Sequence, residues 1–203
     1  MKKANYLLCA VLFFGIAHAT SVAPDKGSPS PQPQSGDTYS IDRSHTYVIF
    51  RINHLNVGNS YGMFRDTSGG FFLDNVNPQN SSIELTVQAD SVFTADQKRD
   101  EHLRGSDFLN TKQFPTATFK SKKVKKLSKN QYEVVGDLTL HGVTKSITTR
   151  VEKTGEGKDP WGNQRMGFET TFELNRQDYG ITYMKGALGD TIKMTFSVEG
   201  IKK

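Results

Sequence analysis

The chain has 203 residues, with 26 Lys and Arg against 21 Asp and Glu and a formal charge of +5. So mild a basic excess, with no aromatic-basic motif beside it, gives no ground for a nucleic-acid partner. A single cysteine, Cys9, excludes a disulfide framework and a Cys-based metal site.

At the N-terminus, Lys2 and Lys3 precede an apolar run from Tyr6 to Ala17 that ends in Ala17-His18-Ala19. This predicts a cleavable signal sequence over residues 1–19, shorter than the ~20 apolar residues that span a bilayer. Cleavage removes Cys9, Lys2 and Lys3 with no acidic residue, which lowers the charge from +5 to +3. The expected location is the periplasm or the cell exterior. Residues 20–36 carry Pro24, Pro29, Pro31 and Pro33 among Ser, Gln and Gly, a composition that predicts a disordered tether. Residues 37–203 then form one domain with ample length for a core.

Within that domain, residues 46–55 alternate: Val48, Phe50, Ile52 and His54 share the inward face, and Tyr47, Ile49, Arg51 and Asn53 the outward one. Gly58 to Gly62 reads as a tight hairpin turn, Met63 to Asp66 as strand, and Gly69-Gly70 as a turn before Phe71, Phe72 and Leu73. Residues 82–88 alternate again, with Ile83, Leu85 and Val87 inward. Residues 90–119 hold the one persuasive helical stretch. There Thr94 and Gln97 form a capping box, Asp96 suits the helix dipole, and Gly105 supplies a left-handed stop. A second short start at Ser106-Asp107 leads through Phe108 and Leu109 to Phe114-Pro115. Strands follow at 116–127, 132–140 and 143–153, then a Gly-rich loop at 153–167, then strands at 168–174 and 192–200. About eight antiparallel strands with one helical interruption fit either a sandwich or a closed barrel. Thirteen Phe suit an apolar cavity or a filled core equally well.

Few residues suggest chemistry. Gly58-Asn59-Ser60-Tyr61-Gly62 fits the G-x-S-x-G spacing of a nucleophile elbow, which needs a strand-to-helix turn that the flanks do not provide. His45, His54, His102 and His141 do not converge as metal ligands, so no metal is expected. Lys120, Lys122, Lys123, Lys125, Lys126 and Lys129 form a basic ribbon, either a solvated strand that discourages edge pairing or a contact for anionic headgroups. Arg99, Asp100, His102 and Arg104 form a charged helix face, and Arg99 and Arg104 are expected to hold the helix to the rim by ion pairs.

Several blocks in order resemble one family. Asp42-x-x-His45, Phe50 and His54-Leu55 are similar to the opening of the YceI-like lipid-binding proteins. So are Arg99-Asp100-x-His102-Leu103-Arg104, Asp107-Phe108, Phe114-Pro115 and Phe119-x-Ser121. Gly136-Asp137-Leu138-Thr139-Leu140-His141-Gly142-Val143-Thr144-Lys145 and Asn175-Arg176-x-Asp178-Tyr179-Gly180 resemble its later signatures. Leu109 departs from the pattern, standing where the family often has an aromatic.

The resemblance implies a mainly all-β fold, an antiparallel lipocalin-like barrel of about eight strands with a short helical insertion. It also implies a long amphiphilic ligand: a polyisoprenoid, an isoprenoid quinone, or a fatty acid or its amide. No catalytic group and no cofactor besides that lipid are implied, while a homodimer is. The candidate liners are Val48, Phe50, Ile52, Phe64, Phe72, Leu85, Val87, Leu138, Leu140 and Phe172, with His54 as a polar contact. Phe93, Leu103, Phe108 and Phe114 are expected to floor or gate the cavity. The alternatives are a lipid esterase using Ser60, and a filled barrel that binds surfaces through the Lys120 to Lys129 ribbon.

Overall fold

The computed structural model describes Met1 and residues 35–203, so the rest of the expected signal sequence and the tether before Ser35 lie outside the described residues. The strands are β1 (Asp37–Ile41), β2 (Tyr47–His54), β3 (Gly58–Phe64), β4 (Thr67–Leu73), β5 (Ser82–Gln88) and β6 (Val92–Phe93), followed by helix α1 (Gln97–Arg104). After the helix come β7 (Thr116–Lys126), β8 (Gln131–Leu140), β9 (Val143–Lys158), β10 (Gln164–Asn175) and β11 (Leu188–Lys202).

The strand order β1-β4-β5-β7-β8-β9-β10-β11 returns on itself where Tyr39, Ser40 and Ile41 pair with Lys202, Ile201 and Gly200. The fold is a closed eight-stranded antiparallel barrel with one short helix. Three strand positions are broken in two. β2 carries on from β1 after a single turn at Arg43–His45 and pairs with the other end of β11. β3 pairs with β2 while β4 pairs with β1, and β6 continues β5 alongside the end of β3. Each break exposes backbone donors, and local side chains satisfy them. Asp42 accepts from Ser44 N at 3.0 Å, and Ser91 Oγ accepts from Arg65 N and Asp66 N, both at 3.1 Å.

Several expected turns lie elsewhere. The β2–β3 turn is not Gly58 to Gly62 but Leu55-Asn56, both with φ near +55°, closed by Val57 N donating to His54 O at 3.0 Å. Gly58 to Gly62 is strand, and Gly62 is needed because a Cβ there would run into the Phe50 ring. Gly69-Gly70 also lies inside a strand. Gly69 has φ +132° and its backbone approaches Glu84 O so closely that no side chain fits. The expected loop at 153–167 is a long hairpin, with β9 and β10 paired as far as Lys158 and Gln164, and only residues 159–163 turn. β1 had no alternation strong enough to be read from five residues.

Helix α1 begins two residues later than the capping box implies. Asp96 is the N-cap, accepting from Arg99 N at 3.0 Å. Thr94 instead holds Asp100, donating its N–H at 2.8 Å and its hydroxyl at 2.6 Å to one carboxylate oxygen. Gly105 ends the helix with φ −70°, not in the left-handed region. The left-handed residue of this stretch is Asn110, with φ 46°, in the turns that precede Phe114.

The interior divides along the barrel axis. At the lower end Tyr39 and Phe71 stack at 4.7 Å, Phe168 meets Phe71 edge-on at 5.2 Å, and Leu73, Leu85, Val124, Tyr132 and Met166 complete a packed plug that leaves only small spaces of about 50 Å³. At the upper end Val48, Val87, Leu138, Leu174, Tyr179 and Met194 form a second cluster around open space.

Candidate functional site

That open space is a cavity of about 130 Å³. Alternation builds its wall: Val48, Phe50 and Ile52 of β2, Phe64 of β3, Val87 of β5, Leu138 and Leu140 of β8, and Phe172 of β10 all point into it. Leu103 of α1 and Phe108 roof it. Below it a cavity of about 50 Å³ is lined by Leu85, and Leu138, Phe172 and Phe196 border both spaces. Phe172 and Phe196 stack at 5.7 Å, so a two-ring partition separates the cavities.

Four expected liners stand elsewhere. His54 is exposed beyond the rim, because β2 leaves the cavity after Ile52. On β4 the buried aromatic is Phe71, not Phe72, because the strand runs unbroken through the two glycines and the alternation shifts by one residue. Phe93 lies outside, 5.1 Å beneath the Arg65 guanidinium, while its neighbour Val92 points in. Phe114 packs on the His141 ring at 4.5 Å and against Gly142, beside the roof.

Sequence reasoning missed more liners than it misplaced. Ile192, Met194 and Phe196 face the cavity from β11, and their alternation is as plain as that of β2. Leu109, the departure from the family pattern, also lines the roof. Ile181, Leu188 and Arg176 come from a connection with no periodic signal.

Arg176 organises that connection. It is 1% exposed. Its Nε donates to Gly189 O at 3.0 Å, and Nη1 to Ile181 O at 2.9 Å and Tyr183 O at 2.7 Å. Nη2 reaches Leu188 O at 3.4 Å and Asp190 Oδ1 at 3.5 Å. All five guanidinium donors are thereby occupied, so Arg176 offers the cavity only its stem while its head fixes residues 181–190 as a roof segment.

The helical half of the roof is tied down in the same manner. Arg99 donates to Thr94 Oγ1 and O, and Arg104 donates to Asp90 O at 2.7 Å and Val92 O at 3.0 Å. Backbone carbonyls and a hydroxyl, not the expected ion pairs, hold the helix to the rim. The two roof pieces meet where His102, Phe108 and Tyr183 pack edge to face with ring centres 5.0–5.4 Å apart.

Among the described residues, no nucleophile lines this space. Ser60 sits mid-strand opposite Ile52, without the strand-to-helix turn of an elbow. Asp42, His45 and Glu199 approach one another closely enough to share an ion, but Arg165 Nη1 already lies 2.6 Å from a carboxylate oxygen of both acids. In the ribbon, Lys120 pairs with Glu84 at 2.6 Å and Lys122 with Asp137 at 2.7 Å. What the site can do is desolvate hydrocarbon behind a roof.

The YceI-like domain family matches residues 39–200. The chain belongs to the YceI-like family. A UPF0312 protein of Ectopseudomonas mendocina (strain ymp) is 42% identical over 167 residues, covering 81% of this chain and 87% of that protein. The crystal structure of a Campylobacter jejuni YCEI protein matches with a TM-score of 0.67 at 31% identity, over 74% of this chain and 90% of the other. A polyisoprenoid binding domain from Saccharophagus degradans, implicated in plant cell wall breakdown, matches with a TM-score of 0.63 at 17% identity, over 81% and 98% of the two chains. At that identity the likeness shows a shared fold. In this chain, the block around Arg99 to Arg104 forms one part of the roof, and the block Asn175 to Gly180 supplies the Arg176 that fixes the other.

Proposed function

We propose that this YceI-like protein is a periplasmic or secreted binding protein that encloses one long amphiphilic lipid, without catalysis, for transport, storage or scavenging. The ligand class is a polyisoprenoid, an isoprenoid quinone, or a fatty acid or its amide. One observation carries the reading: a roofed, apolar cavity lies above a second one, with the stacked Phe172 and Phe196 rings bordering both. The Saccharophagus degradans domain of the same fold is a polyisoprenoid binding domain, which supports the same class.

Magnitudes favour a chain over a compact ligand. The upper cavity, at about 130 Å³, is smaller than the ~300–1,000 Å³ of ordinary ligand pockets. An occupant must therefore part Phe172 from Phe196 and thread downward. Each methylene it buries contributes ~0.8 kcal/mol gross, so a long chain offsets the cost of moving two rings and of its own ordering.

Native mass spectrometry of protein purified from its natural host, followed by organic extraction, tests the reading. A stoichiometric lipid is expected, and a consistently empty barrel overturns it. Ser60→Ala should leave lipid retention unchanged.

A further inference from the structure

The upper rim carries apolar side chains in places where folding gives no reason for them. Leu55 and Met184 both occupy left-handed backbone, with φ 55° and 52°, a conformation that favours Gly and Asn over residues of their kind. Both point to solvent at turn tips, and beside Leu55 stands Val57, 89% exposed. The two tips adjoin: Leu55 N donates to Ala187 O at 2.8 Å, and Ala187 N and Leu188 N both donate to Met184 O. Tyr183, 42% exposed, precedes Met184 and packs on Phe108. Leu188 and Phe108 line the cavity, so the apolar rim is continuous with the roof.

Three cations stand at the same rim, with two exposed acids near them: Glu173 opposite Lys193 in β10, and Asp107, paired at 2.9 Å with the His102 that packs on Tyr183. Lys185 is exposed beside Met184. On the outer face just below the tips, Arg51 lies between Lys193 and Tyr61 in neighbouring strands. Asp190, the nearby acid on the roof segment, is turned onto Arg176.

We propose that Leu55, Val57, Tyr183 and Met184 form a docking face that inserts shallowly into an anionic phospholipid bilayer and sets the roof of the cavity against it. The apolar tips enter the acyl boundary, and Lys185, Arg51 and Lys193 meet the headgroups. A lipid then passes between bilayer and cavity without crossing water. The proposal rests on the cavity's holding a lipid chain. It differs from docking through the Lys120 to Lys129 ribbon, whose hairpin end is at the lower, plugged end beside Lys153 and Glu156. The exposed Val76, Leu127 and Trp161 belong to three separate turns at that lower end, remote from the cavity.

The backbone supplies a clean test. Asn suits left-handed φ, so a variant combining Leu55→Asn, Val57→Thr and Met184→Asn should fold with equal or higher thermal stability. Its co-sedimentation with phosphatidylglycerol/phosphatidylethanolamine vesicles should fall about tenfold or more, from the loss of three inserted apolar groups. Binding of a fluorescent polyene fatty acid added directly in solution should stay as in the parent protein, and its pickup from vesicles should slow. Trp161 emission should not shift when the parent protein binds vesicles. Unchanged vesicle binding by the variant overturns the proposal, as does its loss on Trp161→Gln or on Glu substitution of Lys125, Lys126 and Lys129. Conversion of a dimer to a monomer with vesicle binding intact also overturns it, by assigning the face to a second copy of the chain. A parent protein that binds vesicles but never takes up the fatty acid refutes the lipid cavity and leaves the docking face standing.

Discussion

The two ends of the barrel each hold an arginine, and the arginines are used in opposite ways. Arg165, at the lower end, donates to Asp42 and Glu199 at 2.6 Å and to Asp159 at 2.8 Å, joining the break between β1 and β2 to β11 and to the β9–β10 turn. Arg176, at the upper end, meets four backbone carbonyls and one carboxylate at 3.5 Å. Three carboxylates weld strands, whereas carbonyls of a single segment shape a loop. The packing follows the same division, with stacked aromatics filling the lower end and a partitioned cavity at the upper end. One end is closed by packed strands, and the other is covered by a roof of loop and helix over a cavity.

The largest effect should come from the plug. Phe71→Ala removes a ring that contacts both Tyr39 and Phe168 and should cost ~3–5 kcal/mol in denaturant unfolding. Phe172→Ala joins two existing spaces and should cost clearly less, while shifting the tightest-binding fatty acid to a longer chain. Equal stability losses and an unmoved chain optimum would erase the difference between the ends.

Next comes the roof. Arg176→Met keeps an aliphatic stem but leaves buried carbonyls without donors, at about 1–3 kcal/mol for each one that water cannot reach. Hydrogen exchange should rise across residues 181–190 and stay slow in β4 and β10 near the plug. Exchange rising uniformly would mean that Arg176 holds the whole barrel.

A smaller effect separates two aromatics that look alike in sequence. Phe108 is 8% exposed and lines the cavity, whereas Phe114 leans on His141 outside it. Phe108→Asp should speed release of a bound fatty acid in stopped-flow fluorescence, and Phe114→Asp should change release little while lowering thermal stability. The reverse order would move the roof to Phe114.

This pair also marks how far the sequence could be read. Alternation in β2, β5 and β8 placed Val48, Phe50, Val87 and Leu138 because a barrel strand turns every second residue inward whatever its neighbours are. Turns were harder. Gly69 and Gly70 look like punctuation but serve close backbone approach, and the true β2–β3 turn uses Leu55 where Gly is the ordinary choice. That error moved the inward aromatic of β4 from Phe71 to Phe72. Arg176 stands within a family block, yet its carbonyl partners are 5 to 13 residues away along an aperiodic segment, and no local pattern encodes such contacts.

The smallest effect is acid sensitivity confined to the lower end. Ser44 and then His45 and Arg165 hold the Asp42 carboxylate well below its usual range against the opposing pull of burial. Burial pushes Asp159 up, but Arg165, Asn163 and the Trp161 N–H outweigh it and bring its pKa down to about 2. Carboxylates whose folded pKa is depressed add stability above their unfolded value, near 4, and lose it as pH falls through the folded value. The lower clamp should therefore loosen between about pH 4 and pH 2, where protonation removes the acceptor for Arg165. Trp161 is placed to report it, because its backbone N–H donates to Asp159 Oδ1 at 3.0 Å and it is the chain's one tryptophan. Its emission should change in that window before global unfolding, and Asp159→Asn should flatten the change. Arg176 keeps its carbonyl acceptors throughout, since they do not titrate. Fatty-acid retention at the upper end should hold steady over the same acid range until the barrel itself unfolds, and loss of ligand in step with the Trp161 signal would show that the two ends are coupled.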